Sequence, residues 1–254
     1  MMKMTKTIAI LSAKGGVGKT TLSINLASAL NSFGRNVTLV DGNLETPNVG
    51  LYLGASTLPI TLNHVLSGEE TLQNAIYNHP NGLKIIPSSI NLSTIKTTKK
   101  ENFSKVFNNI KSISEIIIVD TQPTINNFHI FDSVDEAFIV TTPDLVSVTG
   151  ALKMVHAAEE NGVTVLGTIL NKVKGDKLEL AKDNIESILE KPIIGEIPYD
   201  ENVRVSNSLK DPVIYTEPNS KSSVAFRKIA AELLGQRFYE PEEKKSFFKR
   251  IFSK

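Results

Sequence analysis

Eight residues near the start of the chain, Lys14-Gly15-Gly16-Val17-Gly18-Lys19-Thr20-Thr21, constrain the fold more than any other stretch. They follow an apolar run, Ile8 to Leu11, and lead into helical spacing at Leu22, Leu26, Ala29 and Leu30. A strand, a glycine-rich turn and a helix in that order form the setting in which a phosphate-binding loop works. Glycine at Gly15, Gly16 and Gly18 lets the backbone take positive φ and turn its N–H groups toward phosphate oxygens. The helix N-terminus behind the loop adds donors and a partial positive charge. In such a loop Lys19 reaches the β- and γ-phosphates, and the Thr20 hydroxyl ligates magnesium. The general spacing GxxxxGK[ST] is met here with Ala13 at its first position, and a second lysine, Lys14, opens the loop.

The remaining apolar segments say what the loop is mounted on. Thr7 to Leu11, Val37 to Val40, Leu83 to Pro87, Glu115 to Asp120, Ala137 to Thr141, Val163 to Leu170 and Ile193 to Ile197 are continuous runs with helical patterns between them. Strands that read apolar throughout are buried on both faces. The expected fold is therefore α/β, a P-loop NTPase with a twisted, mainly parallel sheet and helices on both sides. A chain of 254 residues supports one such domain. No repeat or linker interrupts it before about residue 238, so 1–238 is read as the domain and 239–254 as a tail.

Composition narrows the chemistry. The chain has no Cys, which excludes disulfides, thiolate metal sites and cysteine nucleophiles and fits a cytosolic setting. Its 28 basic and 27 acidic side chains nearly cancel, so bulk charge selects no partner. Met1 to Thr7 lack the apolar core of a signal peptide, and no run approaches the roughly 18 apolar residues of a spanning helix. Lys96, Lys99, Lys100 and Lys105 form a basic cluster around a predicted helix, read as a solvated face. Residues 51–82 are rich in Leu, Asn and turn signals and yield no site.

The sequence K-G-G-V-G-K-T, with its extra lysine, resembles the deviant Walker A motif of the MinD/ParA branch of P-loop ATPases. The resemblance implies ATP and ADP as ligands with Mg2+, and a homodimer held by ATP. It also implies that Lys14 reaches across the dimer to the partner's phosphates. Further motifs fit the same family. Asp41-Gly42-Asn43 followed by Pro47-Asn48 resembles switch I, in which the family's second Asp helps prepare the attacking water; Asp41 matches, but Asn43 stands where that Asp belongs. An amide supplies no negative charge to a metal-bound or attacking water. Ile116-Ile117-Ile118-Val119-Asp120 is a strand ending in an acid, the Walker B pattern. Asp120 is thus expected to hold a magnesium-bound water near Thr20. The following Thr121-Gln122-Pro123-Thr124-Ile125 lacks the glycine of many switch II segments. The resemblance further assigns Asn171, at a strand end, to the adenine edge and Pro198, in Ile197-Pro198-Tyr199-Asp200, to the region beside the base. Catalytic roles then fall to Lys14, Lys19, Asp41 and Asp120. The expected nucleotide contacts are Lys14, Gly15, Gly16, Val17, Gly18, Lys19, Thr20, Thr21, Asn171 and Pro198, with Thr20 and Asp120 at the metal.

The tail carries its own signal. Phe247, Phe248, Ile251 and Phe252 share one face of a helical repeat, and Lys244, Lys245, Lys249, Arg250 and Lys254 surround it. That pattern suits an amphipathic helix lying in an anionic membrane surface. Burying three Phe and one Ile yields at most about 6–12 kcal/mol, and ordering some ten residues at roughly 1 kcal/mol each removes most of it. One tail binds weakly; two on a dimer bind through effective concentration. The MinD family ends in such a helix. The whole chain reads as a MinD-like, slowly hydrolysing ATPase, cytoplasmic and peripheral at the inner face of the cell membrane, that positions or regulates an unknown protein partner, as in cell division. Two alternatives stay open: a nucleotide-gated scaffold with little hydrolysis, suggested by Asn43, and a DNA-partitioning ATPase, which the Phe-rich tail disfavours because it suits lipid better than phosphate.

Overall fold

Strands that are apolar at every position need a cover on each face, and the chain supplies both. The computed structural model describes residues 5–126 and 128–239. Its strands are β1 (Lys6–Leu11), β2 (Val37–Asp41), β3 (Tyr77–Asn78), β4 (Lys84–Ile86), β5 (Ile116–Asp120), β6 (Glu136–Thr141), β7 (Thr164–Val173) and β8 (Ile193–Pro198). They form one eight-stranded sheet in the order β3-β4-β2-β5-β1-β6-β7-β8. All neighbours run parallel except β3 with β4.

The helices are α1 (Lys19–Ser32), α2 (Val49–Tyr52), α3 (Leu62–Ser67), α4 (Leu92–Thr97), α5 (Phe103–Lys111), α6 (Phe128–Phe131), α7 (Leu145–Glu160), α8 (Lys182–Leu189), α9 (Asn202–Leu209), α10 (Val213–Thr216) and α11 (Lys221–Leu233). Successive residues of β1 point to opposite faces. Ile8 and Ile10 pack with Leu22 and Leu26 of α1 and with Phe226 and Ile229 of α11. Ala9 and Leu11 pack on the other side in a core shared with Phe103 and Phe107 of α5 and Val148 and Met154 of α7. Each fully buried Leu or Ile contributes about 1.5–3 kcal/mol, which is why the two-sided pattern is so legible in sequence. The last helix begins where Ser220 caps it, its side chain accepting from Ser223 N, and α7 begins where the Asp144 carboxylate accepts from Ser147 N at 2.9 Å.

Within residues 51–82, rich in turn signals, the structure places α3 and a strand of two residues. Tyr77 and Asn78 form β3 by antiparallel pairing with Ile85 and Lys84. Two residues carry no period, so only the partner strand makes them a strand.

The topology brings the candidate residues to one edge. β1 lies between β5 and β6, so the chain moves to one side of β1 for β2 to β5 and to the other for β6 to β8. A crevice opens at the carboxyl ends of the strands where such a sheet changes direction. The loop after β1, Asp41, Asp120, Asn171 and Pro198 all lie at that edge. Among the described residues no helix is long and apolar enough to cross a membrane.

Candidate functional site

The loop between β1 and α1 is built on two left-handed residues, Gly16 with φ 80° and Gly18 with φ 98°. Gly18 is the N-cap of α1, no side chain caps the helix, and no acidic residue stands in its first turn. The first N–H groups of α1 therefore remain for a ligand. Of the three loop glycines that could take positive φ, Gly16 and Gly18 do and Gly15 does not. Its missing Cβ would lie 4.0 Å from Pro123 Cγ, an ordinary contact.

Lys19 is buried, and its Nζ donates to Ser12 Oγ at 2.7 Å. Ser12 Oγ in turn donates to the Lys14 carbonyl at 2.9 Å. Burial pushes the Lys19 ammonium down to about 8, against the attraction of Asp120. Among the described residues Lys19 makes no ion pair. A buried cation without an anionic partner is costly, and an anion delivered at this loop relieves it. The donor set therefore fits a polyphosphate.

Asp120 lies at the end of β5, fully buried. Its Oδ2 accepts from Thr20 Oγ1 at 2.7 Å and its Oδ1 from Ser23 Oγ at 2.9 Å. Burial raises its pKa, while those two hydroxyls and Lys19 oppose the rise. A hydroxyl and a carboxylate in contact at a phosphate loop fit Mg2+, the hydroxyl as a ligand and the carboxylate through a metal-bound water.

Asp41 pairs in register with Asp120 across β2 and β5. It is fully buried, and burial together with the charge of Asp120 raises its pKa well above the ordinary range. Both its oxygens are engaged by the following loop: Oδ1 accepts from Asn43 N at 3.2 Å, and Oδ2 from Asn48 N and Val49 N, each at 3.1 Å. Here Asp41 organises the loop that leads into α2. Asn43 is also buried and closes its own turn, with Nδ2 donating to the Thr46 carbonyl at 2.6 Å and Oδ1 accepting from Thr46 N at 3.1 Å. Neither side chain presents a free carboxylate to the crevice.

Lys14 stands at the opposite rim, where its Nζ lies 3.0 Å from Ser147 Oγ and 3.4 Å from Asp144 Oδ1. Burial tends to raise the Asp144 pKa, but hydrogen bonds from Ser147 and Thr142 outweigh it and hold the group well below the carboxylate range. Asn171 is buried beneath the loop: its Nδ2 donates to the Val17 carbonyl at 2.7 Å, and its Oδ1 accepts from Lys172 N at 2.9 Å. Pro198 ends β8 opposite Val173. Val17 is buried and Thr21 partly so, with the Thr21 carbonyl accepting from Asn25 Nδ2.

Four contributors escaped the motif-based reading. Ser12 and Ser23 are single hydroxyls of no motif, although Ser23 lies three residues beyond Thr20 and hence on its face of α1. Asp144 and Lys172 belong to none of the motifs above and come to the site only through their contacts with Lys14 and Gly16. The segment Lys244, Lys245, Phe247, Phe248, Lys249, Arg250, Ile251 and Phe252 lies outside the described residues.

Comparison with known proteins gives a consistent result. Residues 8–213 match the profile of the CobQ/CobB/MinD/ParA nucleotide binding domain. An uncharacterised ATP-binding protein of Methanocaldococcus jannaschii is 37% identical over 240 residues, covering 94% of this chain and 90% of its own. The septum site-determining protein MinD from Pyrococcus horikoshii, solved as its complex with Mg-ADP, superposes with a TM-score of 0.85 at 30% identity over 91% of this chain and 96% of that one. The MinC:MinD cell division complex of Aquifex aeolicus contains a chain that matches with a TM-score of 0.81 at 25% identity, covering 92% of this chain and 98% of that one.

Proposed function

The chain belongs to the CobQ/CobB/MinD/ParA nucleotide-binding family, and from that premise we propose that it is a MinD-like ATPase. It takes up ATP with Mg2+, dimerises around the nucleotide and binds an anionic membrane surface reversibly through residues 244–252. The observation that carries the reading is the contact of Thr20 with Asp120 at 2.7 Å beside a buried lysine, Lys19, that has no ion-pair partner among the described residues. A relative solved with Mg-ADP supports the choice of ligand.

In this reading Lys19 meets the β- and γ-phosphates as its Ser12 bond is exchanged, and the N–H groups of Gly16 to Thr21 cradle the chain of phosphates. Thr20 would coordinate Mg2+ and Asp120 would hold a water of its shell, and the ion would supply positive charge against the phosphates. Lys14 leaves Asp144 and Ser147 to reach the phosphates of the second copy, where it stabilises the charge on the departing group. Pro198, at the end of β8, lies toward the base. Nucleotide state then governs membrane residence, because one tail binds weakly and two together bind firmly. The work that follows is to place or regulate another protein at the inner face of the cell membrane; the septum-site and MinC:MinD relatives support cell division as the setting.

A second reading, a nucleotide-gated scaffold with little turnover, is favoured by Asn43, whose amide is spent within its own turn. Both readings meet one experiment: co-sedimentation with anionic liposomes in ADP or ATP with Mg2+, for the intact chain and for a truncation after residue 239, with released phosphate counted in the same tubes. ATP- and tail-dependent pelleting is expected, with slow phosphate release. Pelleting without phosphate release selects the scaffold. Pelleting indifferent to nucleotide overturns the switch, and ATP-dependent, salt-sensitive binding to DNA instead of lipid turns the reading to a partitioning ATPase.

A further inference from the structure

Two carbonyl oxygens of the phosphate loop are held from outside by consecutive residues at the end of β7. Asn171 Nδ2 donates to Val17 O at 2.7 Å, and Lys172 Nζ donates to Gly16 O at 2.7 Å. In a trans peptide the carbonyl of one residue and the N–H of the next point in opposite directions. Holding Gly16 O against Lys172 therefore turns Val17 N–H away from Lys172, and holding Val17 O against Asn171 turns Gly18 N–H away from Asn171. Both N–H groups then face the hollow of the loop, where phosphate oxygens are bound.

Three features of the fold are arranged around this contact. Lys172 is the residue at which the pairing of β7 with β8 shifts register, between Asn171 opposite Ile197 and Val173 opposite Pro198. A bulge of this kind re-aims a side chain. Lys172 is also left-handed, with φ 58°, a conformation disfavoured for a residue with a Cβ, and its N–H is held by Asn171 Oδ1 at 2.9 Å. Finally, a Cβ on Gly18 would fall 2.1 Å from Asn171 Nδ2, so the loop glycine and the amide share one space. A strained bulge and a glycine that yields to an amide are hard to account for by packing alone.

We propose that Asn171 and Lys172 form a clamp that pre-sets the peptide planes of the phosphate loop, making both residues positioning groups for the phosphate chain. This rests on the nucleotide reading above and gives Asn171 a role through the loop in place of its expected contact with the base. A pre-set nest binds without the cost of ordering the loop when the anion arrives.

The test is titration calorimetry of the full chain with Mg-ATP, Mg-GTP and Mg-tripolyphosphate, paired with melting of the ligand-free protein. Lys172→Ala and Asn171→Ala are each expected to weaken all three ligands by about tenfold, in equal proportion, since each removes a bond that aims a donor at charge. Lys172→Arg restores binding. Lys172→Gly relieves the left-handed backbone, so it melts no lower than the wild type and still loses binding, an outcome that loss of folding does not produce. The clamp is overturned if Lys172→Ala binds all three as the wild type does, or if Asn171→Ala weakens ATP alone and leaves GTP and tripolyphosphate untouched, which marks a base contact. A wild-type chain that binds none of the three overturns the nucleotide reading and the clamp together.

Discussion

Lys14 is held by Asp144 of its own chain, with Nζ 3.4 Å from Oδ1. Both side chains are nearly half exposed, at 45% and 48%, so the pair contributes less than about 1 kcal/mol to stability. A contact so cheap to break suits the proposed release of Lys14 toward a second copy of the chain. Asp144→Asn removes the charge yet preserves an N-cap for α7. The expected result is an unchanged melting temperature and an ATP-dependent dimer that forms at lower protein concentration, read by light scattering on a sizing column. Lys14→Ala abolishes that dimer and leaves the monomer's fold intact. A dimer unaffected by either change refutes the assignment of Lys14.

Asp120 accepts from both Thr20 and Ser23. Its expected metal role can be separated from its structural one by comparing nucleotide affinity with and without Mg2+. In the wild type Mg2+ is expected to strengthen binding, and in Asp120→Asn that gain is expected to shrink by about 10–100-fold. Equal Mg2+ dependence in the two proteins places the metal elsewhere.

Lys19 has a folded-state pKa near 8, below its ordinary 10.5. Phosphate charge raises that value in the complex, so binding above pH 8 takes up a proton. ATP affinity therefore falls as pH climbs through 8, and calorimetry in two buffers of different ionisation enthalpy at pH 8.5 shows net proton uptake. In the ligand-free protein the sign is opposite. From pH 8 to 10.5 the unfolded chain holds the proton that the folded one has lost, so the Lys19 contribution to stability rises with pH. Affinity flat across this range contradicts the contact of Lys19 with phosphate.

Asn43 donates Nδ2 to the carbonyl of Thr46. In Asn43→Asp an oxygen replaces that donor and faces the carbonyl oxygen, so stability is expected to fall by about 1–3 kcal/mol in a denaturant titration. The same variant divides enzyme from scaffold. Faster phosphate release than wild type means that the missing carboxylate was limiting hydrolysis, whereas a wild type that already turns over readily and is not improved removes the scaffold.

The fold was largely legible. β1, β2, β5 and β8 coincide with their apolar runs to within a residue, because a strand buried on both faces writes its burial into consecutive side chains. β3 was not legible, since Tyr77 and Asn78 are a strand only by virtue of Ile85 and Lys84. At the site, Lys19, Thr20 and Asp120 were recoverable because loop chemistry and a strand-end acid are local patterns. The places of Asp41 and Asn43 were recoverable; the hydrogen bonds by which they brace the following loop were not. The loop they brace, from Asn43 to Val49, is invisible to a motif that records only residue types.

Residue order by itself determined the two-sided strands, the left-handed freedom of Gly16 and Gly18, and the presence of a lysine and a hydroxyl at the start of α1, all of which follow from neighbours a few positions apart. Only the tertiary structure decided that Lys14 rests on Asp144, 130 residues away, and that Lys172 reaches Gly16 across 156 residues. Those contacts depend on strand order, register and one bulge in β7, quantities set by the simultaneous packing of the whole sheet and encoded in no single stretch of it.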